Sequence, residues 1–501
     1  MMISTHPVST ALLLVLEVFL PTLMMAQLDA QKNNMMQRIN RNITVSENGR
    51  FLQYEDGEPF FWLGDTGWLL FEKLTREEAT RYLENRRAKG FNVIQCMVVP
   101  AMPLVNIYGD SAFVKNNLSC LCITDGKNFT DTRQYDFWDH VEYIIDEAAK
   151  NGIRIALVPL WGKVAKQPET TVENVTMYAR WLAKRFGSKP NIFWINGGDL
   201  RGDVRPEIWK AIGMALKAND PNHLITYHPF GRTQSSTWFH NELWLDFNMF
   251  QSGHRRYDQL KGDGAESWKG EDNWRYVLED YAKNPPKPTL DGEPSYENIP
   301  QGLHDTTQPY WNAHDCRRYA YWSVFAGACG HTYGDNAVMQ MYKPRDKNRA
   351  YGAHNYWYEA IDDSGSFQMR YLSNLVLSRP YFERIYDSTL VVDQGKRYEF
   401  IATTRGKSYL FAYTYTGRSF TIAMGKISGS EVRATWYNPR NGAVQEIGTM
   451  NNSGTMYFQP PGNVRNGNDW VLVLDDSSKG YSDPGCEIIS TKKRLEILNL
   501  K

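Results

Sequence analysis

Short apolar runs alternate with longer amphipathic stretches between about residues 45 and 340. Near-continuous apolar runs of this length are typical of strands that are buried on both faces of a parallel sheet. The pattern predicts eight such strands, in the order Phe60–Asp65, Phe91–Val99, Ile153–Trp161, Asn191–Asn196, His223–His228, Leu245–Gln251, Pro288–Glu293 and Gly330–Gly334.

Helix signals occupy the stretches between these strands. Thr75 precedes two glutamates at the start of one predicted helix, and Gly90 follows its end. Trp138–Lys150 has the same character and is closed by an Asn-Gly pair that ends at Gly152. Strands and helices that alternate in this way over roughly 300 residues predict a (β/α)8 TIM barrel, an α/β fold. A doubly wound open sheet is the structural alternative.

The pattern of apolar and turn-forming residues changes beyond residue 388. Residues 388–475 hold short β-rich runs, separated by turn pairs such as Asn438-Pro439 and Asn441-Gly442. This pattern predicts a C-terminal β-sandwich. We therefore expect a catalytic barrel over residues 43–385, a sandwich over residues 388–475 and a tail over residues 476–501 whose structure the pattern does not define.

The first 26 residues are typical of a cleavable secretory signal peptide. An apolar core, Ala11–Leu20, is followed by Pro21 and by a small-residue end at Ala26. The apolar core is too short to predict a membrane span. We expect a secreted or periplasmic bacterial protein, with an uncleaved anchor or a disordered start as the alternatives.

Composition narrows the class of partner. The chain has 56 basic and 56 acidic residues, and this balance argues against binding to nucleic acid or to an anionic membrane. Its 16 tryptophans suit stacking on sugar rings, although large barrels also bury many aromatic residues. The six cysteines form no paired motif with zinc spacing. We expect an oligosaccharide or polysaccharide substrate, no cofactor and no metal, and the pattern leaves the oligomeric state open.

Two carboxylates stand where barrel enzymes place their catalytic residues, at the carboxyl ends of strands. Asp199 follows the fourth predicted strand and Glu293 ends the seventh. Glycoside hydrolysis needs one protonated carboxyl group and one ionised carboxylate on either side of the scissile bond. We predict that this pair is catalytic. A helix cap is the alternative role for Asp199.

Other polar and aromatic residues at strand ends are candidates for substrate binding: Asp65, Trp68, Gln95, Trp161, Asn196, His228, Gln251, His331 and Tyr333. His254 lies just beyond the sixth strand. The histidines come from different strands and lack local ligand spacing, so a sugar-binding or orienting role is favoured over a metal site.

Four segments across the barrel carry a family resemblance: Trp62–Thr66, Lys89–Gln95, Trp194–Asp199 and Leu290–Pro294. With the C-terminal module, the chain resembles glycoside hydrolase family 140, the apiosidase-like barrel family whose C-terminal module is named a collagen-binding domain. The resemblance implies that the family's catalytic Asp and Glu correspond to Asp199 and Glu293. It also implies action on apiose-containing pectin, notably rhamnogalacturonan II.

The resulting hypothesis is a glycoside hydrolase with Asp199 as general acid and Glu293 as nucleophile or base. Placement on strands four and seven favours a retaining mechanism. The alternatives are a glycosidase for a different plant or host glycan, a non-catalytic glycan- or matrix-binding barrel, and a metallohydrolase.

Overall fold

The computed structural model describes residues 37–259, 262, 265–347 and 349–486. The predicted signal peptide, residues 1–26, and the tail beyond residue 486 lie outside the described residues. A small antiparallel sheet of Ile43–Val45, Leu52–Tyr54 and Pro59–Phe60 precedes the barrel. It packs against the amino ends of the barrel strands, where the Phe60 ring lies 5.9 Å from the ring of Phe193.

Eight parallel strands form a nearly closed barrel and confirm the predicted fold class. In chain order they are Trp62–Thr66, Val93–Met97, Arg154–Val158, Ile192–Gly197, Ile225–His228, Asn248–Gln251, Thr289–Asp291 and Gly330–Tyr333. The eighth strand pairs with the first, which rules out an open sheet. The fifth and sixth strands meet without a ladder, through a 2.8 Å hydrogen bond from the Asp246 backbone N–H to the Ile225 carbonyl. A short strand, Thr233–Gln234, runs antiparallel to the sixth.

Helices cover the outside of the barrel. They span Leu70–Lys73, Arg76–Ala88, Phe137–Lys150, Gly162–Ala165, Val172–Phe186, Pro206–Asn219, Ser236–Phe239, Trp274–Tyr281, Ala313–Phe325, Asn336–Met339, Trp357–Ala360 and Ser364–Leu377. Thr75 caps the second of these in a reciprocal capping box with Glu78, as its sequence predicts. Asp136 caps the third, so that helix begins one residue earlier than its apolar pattern indicates.

Large side chains fill the lower part of the barrel interior. The ring of Trp62 lies 4.9 Å from that of Phe193 and 6.0 Å from that of Phe247. The Trp62 indole N–H donates to Thr332 Oγ1 at 3.0 Å, which satisfies its buried polar atom. These side chains form a packed floor beneath the carboxyl ends of the strands.

The C-terminal module is antiparallel. Its six-stranded sheet contains Ile385–Tyr386, Ile401–Arg405, Tyr409–Thr414, Trp470–Asp476, Glu431–Tyr437 and Val444–Asn451, in that spatial order. A two-stranded sheet, Phe420–Ala423 with Thr455–Phe458, covers one face. Apolar side chains such as Leu410, Ile422 and Leu472 form the core between the two layers.

The second face of the six-stranded sheet packs on the barrel helix Ala313–Phe325. Tyr321 stacks on Tyr413 with ring centroids 4.7 Å apart. Arg317 and Asp469 form a two-pronged ion pair, with distances of 2.7 and 2.8 Å and both side chains buried. The two domains therefore share a continuous packed interface. Within the described part of the chain, no helix is long and apolar enough to cross a membrane.

Removing Arg317 should destabilise the whole molecule. Arg317→Met leaves the buried carboxylate of Asp469 without its guanidinium partner, and breaking one side of a buried ion pair costs about 3–5 kcal/mol. Thermal or urea unfolding of the full chain measures this loss. Lys150→Met is the matched control, because Lys150 pairs with Glu147 at the surface and should change stability by less than about 0.5 kcal/mol. Equal losses in the two variants would contradict the expectation.

Candidate active site

A cavity of about 570 Å³ opens at the carboxyl ends of the barrel strands. Asp199 and Glu293 both line it. Trp68, Trp161 and Gln251 form further parts of its wall, together with loop residues that follow strands five to eight. The structure therefore brings the two predicted catalytic carboxyl groups to one solvent-accessible space, at the end of the barrel where such enzymes act.

A backbone turn in the left-handed region carries Asp199 into the cavity. Gly197, Gly198 and Asp199 have φ values of 84°, 140° and 50°. A Cβ at Gly197 would lie 2.6 Å from the His228 carbonyl oxygen, so that position needs glycine. Asp199 adopts this conformation without being glycine, and such strain is typical of functional sites. The next helix begins at Pro206 and is preceded by Arg205, so Asp199 is not its cap.

Glu293 is held between two histidine rings. Nε2 of His254 lies 3.0 Å from Glu293 Oε1 in a hydrogen bond. Nε2 of His228 lies 3.1 Å from Oε2, although the ring is turned off the ideal hydrogen-bond direction. A Cβ at Gly292, the preceding residue, would lie 2.4 Å from the sulfur of Met249. Close packing of this strand therefore fixes the point from which Glu293 projects.

Backbone groups set the tautomer of each histidine. The N–H of Asp199 donates to Nδ1 of His228, and the N–H of Tyr296 donates to Nδ1 of His254, both at 3.4 Å. A ring nitrogen that accepts a proton in a hydrogen bond carries none itself, so in the neutral ring the proton sits on Nε2. Both rings can therefore direct an Nε2–H towards Glu293.

The two carboxyl groups are driven towards opposite protonation states. Burial raises the pKa of Glu293, but the contacts with His228 and His254 outweigh it and hold that pKa below its usual range. Enclosure in the cavity, followed by repulsion from Glu293, raises the pKa of Asp199 to about 7. The Asp199 side chain is itself exposed, but to the water of a recessed cavity that protein surrounds. Near neutral pH the site therefore offers one proton donor and one carboxylate.

Three further candidate residues, Trp68, Trp161 and Gln251, line the cavity. The rings of Trp68 and Trp161 lie 5.2 Å apart, and Trp68 meets the His228 ring edge-on at 5.4 Å. These side chains form an apolar wall beside the carboxyl pair. The Gln251 side chain lies near Asp199 and acts to lower the pKa of that carboxyl group. Substrate contact by Trp68, Trp161 and Gln251 stays a prediction that their positions permit.

Gln95 lies inside the barrel beneath the cavity. Its amide N–H donates to the Gly292 carbonyl at 2.9 Å, and its side-chain oxygen accepts from Thr332 at 3.4 Å. Because both ends of its amide are engaged, a substrate contact by Gln95 does not fit this structure. The side chain instead supports the residue that precedes Glu293.

The expected substrate contacts of Asp65 and Asn196 do not fit either. The Asp65 side chain points to the helix layer, where its Oδ2 accepts from Tyr82 and Arg86 at 2.5 Å each. Asn196 donates to the Trp209 carbonyl at 2.7 Å and accepts from the Gly197 N–H at 2.9 Å. Neighbouring side chains on a strand point to opposite faces, and these two residues take the face that looks away from the barrel axis.

His331 and Tyr333 also lie outside the cavity, contrary to the prediction. Both side chains are buried, and burial lowers the pKa of His331 to about 3. The Tyr333 hydroxyl donates to Glu297 at 2.5 Å, and its ring lies 6.0 Å from that of Phe91. The eighth strand therefore directs these residues into packing between the barrel and its helices.

Several cavity residues were not in the predicted set. The sequence places His254 just beyond strand six and gives it no separate role, yet it makes the better-aligned contact with Glu293. Tyr296, Arg232, Arg255 and Tyr351 line the same space. All five lie outside the barrel strands and the α-helices, where no hydrophobic period marks a position. The sequence feature that can identify cavity residues is their distance from a strand end, and this feature points only to the first residues of each loop.

The sequence leaves a metal site as an alternative, because three histidines lie on or just beyond barrel strands. His228 and His254 contact Glu293, whereas His331 is buried elsewhere. Over the described ranges, no group of three or more His, Cys, Asp or Glu side chains is arranged to hold a metal ion.

Comparisons with known proteins match both domains. A family model for the apiosidase-like catalytic domain matches residues 46–383, and a model named for the collagen-binding domain of a collagenase matches residues 385–475. A solved structure titled glycoside hydrolase is 48% identical, with a TM-score of 0.83 over 88% of this chain and 98% of that chain. A glycoside hydrolase family 5 structure from Bacteroides vulgatus ATCC 8482 is 44% identical, with a TM-score of 0.83 over 89% of this chain and 96% of that chain. The curated proteins yield no match.

The pH dependence of any hydrolysis should reflect the two carboxyl groups. A proton donor with a pKa near 7 loses its proton above that value, so kcat/KM should fall as the pH rises through about 7. The low pKa of Glu293 should keep activity at pH values where an ordinary glutamate is protonated. In His254→Phe the acid limb should move to higher pH, because Glu293 loses a donor. His331→Phe, a buried histidine away from the cavity, should leave that limb in place; equal movement in both would contradict the assignment.

Proposed function

The chain belongs to the apiosidase-like catalytic-domain family, and from this premise we propose that it is a retaining glycosidase with Asp199 as acid/base and Glu293 as nucleophile. The observation that carries the proposal is the placement of Asp199 and Glu293 in one cavity, with Glu293 held between two histidine rings. The pKa values of the two carboxyl groups are shifted in opposite directions, which agrees with this geometry. Pairs of this kind divide the roles of acid and base in enzyme sites.

The proposed reaction has two steps. Glu293 attacks the anomeric carbon while Asp199 gives its proton to the leaving oxygen, and a glycosyl ester forms as the glycosidic bond breaks. Asp199, now ionised, then takes a proton from a water molecule that attacks the same carbon. Glu293 leaves as a carboxylate, and the site returns to its starting protonation state.

The environment of Glu293 favours retention over inversion. In an inverting enzyme Glu293 would have to accept a proton from the attacking water. The contacts with His228 and His254 lower the proton affinity of Glu293 and make it a weaker base. A stabilised carboxylate is a good leaving group from the glycosyl ester. The same contacts that make Glu293 a poor base therefore suit the second step of the retaining reaction.

We propose a pectic substrate, with an apioside of rhamnogalacturonan II as the first candidate and family 140 as the family number. Two arginines, Arg232 and Arg255, line the cavity that holds the carboxyl pair. Guanidinium groups pair with carboxylates, and pectic backbones are built from uronic acids. The apolar segment Ala11–Leu20 supports a secreted or periplasmic location, where such polymers are met.

Replacing either catalytic carboxyl group should abolish hydrolysis without unfolding the protein. Glu293→Gln and Asp199→Asn should each reduce kcat/KM by about 1000-fold or more. Glu266→Gln and Asp203→Asn are matched controls, because both carboxylates pair with Arg201 at the surface. Initial rates on pectic oligosaccharides that include an apioside measure the effect, and circular dichroism checks the fold. Near-full activity in either catalytic variant would sink the assignment.

The stereochemistry and the acidic-substrate proposal have separate tests. Proton NMR of the first product formed should show the anomeric configuration of the substrate, and the inverted anomer would refute retention.

Arg255→Met should raise KM about 10-fold for an oligosaccharide with free carboxylates. The methyl-esterified form of the same oligosaccharide is the control, and its KM should hardly change. Equal effects on both substrates would argue against carboxylate recognition.

A further inference from the structure

The C-terminal module reaches the barrel loop that carries His254 and Arg255. This loop follows strand six and returns to the helix Trp274–Tyr281. All the described residues that line the cavity lie between positions 68 and 351, so the module contributes none of them. The loop is therefore one route by which the module acts on the site, beside the helix Ala313–Phe325 on which the module packs.

Glu271 is the point of contact. Its carboxylate is buried and accepts hydrogen bonds from three parts of the molecule. Oε1 accepts from the Tyr398 hydroxyl of the module at 2.7 Å and from the Tyr257 backbone N–H at 3.1 Å. Oε2 accepts from Arg318, on the helix under the module, at 2.6 Å. A buried carboxylate needs each of these donors, because an unpaired charge in the interior is costly.

Aromatic contacts strengthen the same junction. Phe400 of the module stacks on Trp274 with ring centroids 4.6 Å apart and an interplanar angle of 6°. The Tyr398 ring lies 5.6 Å from the ring of Tyr257. The module therefore contacts the loop at Tyr257, near its start, and at Trp274, just past its end.

The loop positions that the module contacts lie close to residues of the proposed catalytic site. Tyr257 lies three positions after His254, whose ring contacts Glu293. Asn273, between Glu271 and Trp274, donates to Asp291 at 3.0 Å. Asp291 ends the seventh strand, two positions before Glu293. Both ends of the loop thus connect the module to the proposed nucleophile.

We infer that the C-terminal module is a brace for the active site, and that Tyr398 is a positioning residue that acts through Glu271 and Tyr257 on His254. This inference rests on the proposed function of Glu293. A module that served only as a separate binding domain would need no buried hydrogen bond to a catalytic loop. The name of the matching family model, a collagen-binding domain, describes no such role.

Tyr398→Phe in the full-length chain tests the brace, because it removes one hydroxyl and keeps the ring. Tyr457→Phe is the matched control, since the Tyr457 side chain lies exposed on the outer sheet of the same module. Hydrogen–deuterium exchange should become faster in segments 252–259 and 265–273 of Tyr398→Phe only. The kcat of Tyr398→Phe should fall about 10-fold. The acid limb of its pH profile should move to higher pH, because a less well positioned His254 stabilises the Glu293 carboxylate less.

A purely structural role for Tyr398 predicts a different outcome. It would lower the amount of folded protein and leave both the pH profile and the exchange of these segments unchanged, which would overturn the inference. An unchanged acid limb in an active Tyr398→Phe enzyme would also overturn it. If the unaltered protein hydrolyses no glycoside, the proposed function fails, and the exchange experiment alone then decides whether the module braces the loop.

Discussion

The carboxylate of Glu293 between the rings of His228 and His254 is the interaction on which the rest of the site depends. A glutamate in an enclosed cavity would ordinarily gain a proton, because burial penalises the charged form. Two imidazole N–H groups reverse that tendency and keep the carboxylate available for attack. The negative charge that they preserve then acts on Asp199, whose pKa rises both by enclosure and by repulsion from Glu293. The proton-donor role of Asp199 therefore depends on the same negative charge that makes Glu293 a nucleophile.

Each part of this arrangement is anchored in a different barrel element. The left-handed turn at Gly197, Gly198 and Asp199 directs a backbone N–H to the His228 ring and a carboxyl group into the cavity. Gln95 supports the carbonyl before Glu293 from inside the barrel. The loop that bears His254 is tied to Glu271, and through it to the C-terminal module. A barrel that can vary its loops while holding its strand ends constant is well suited to such a division.

Matches over both domains agree with this structure. The apiosidase-like model covers the barrel, and two solved glycoside hydrolases with 48% and 44% identity share the fold over nearly the full described length. These findings support glycosidase chemistry and leave the choice of sugar to experiment. The buried ion pair of Arg317 with Asp469 and the stack of Tyr321 on Tyr413 join the two domains into one packed body. A packed and buried interface of this kind restricts the relative motion of the two domains.

The eight barrel strands, the sandwich, and Asp199 and Glu293 as strand-end carboxyl groups could all be predicted from the sequence. Apolar runs and turn residues are local signals, and in a barrel every strand ends on the same face. The direction of each side chain was decided only by tertiary structure. Asp65, Asn196 and Tyr333 lie at or next to the carboxyl ends of their strands, but their side chains point towards the helices. His331 is the second residue of the eighth strand, and its side chain is buried outside the cavity. His254 and the brace at Tyr398 belong to loops and to a contact between domains. Tyr398 meets Tyr257 and Glu271 of the His254 loop through folding alone, because no sequence period links positions so far apart.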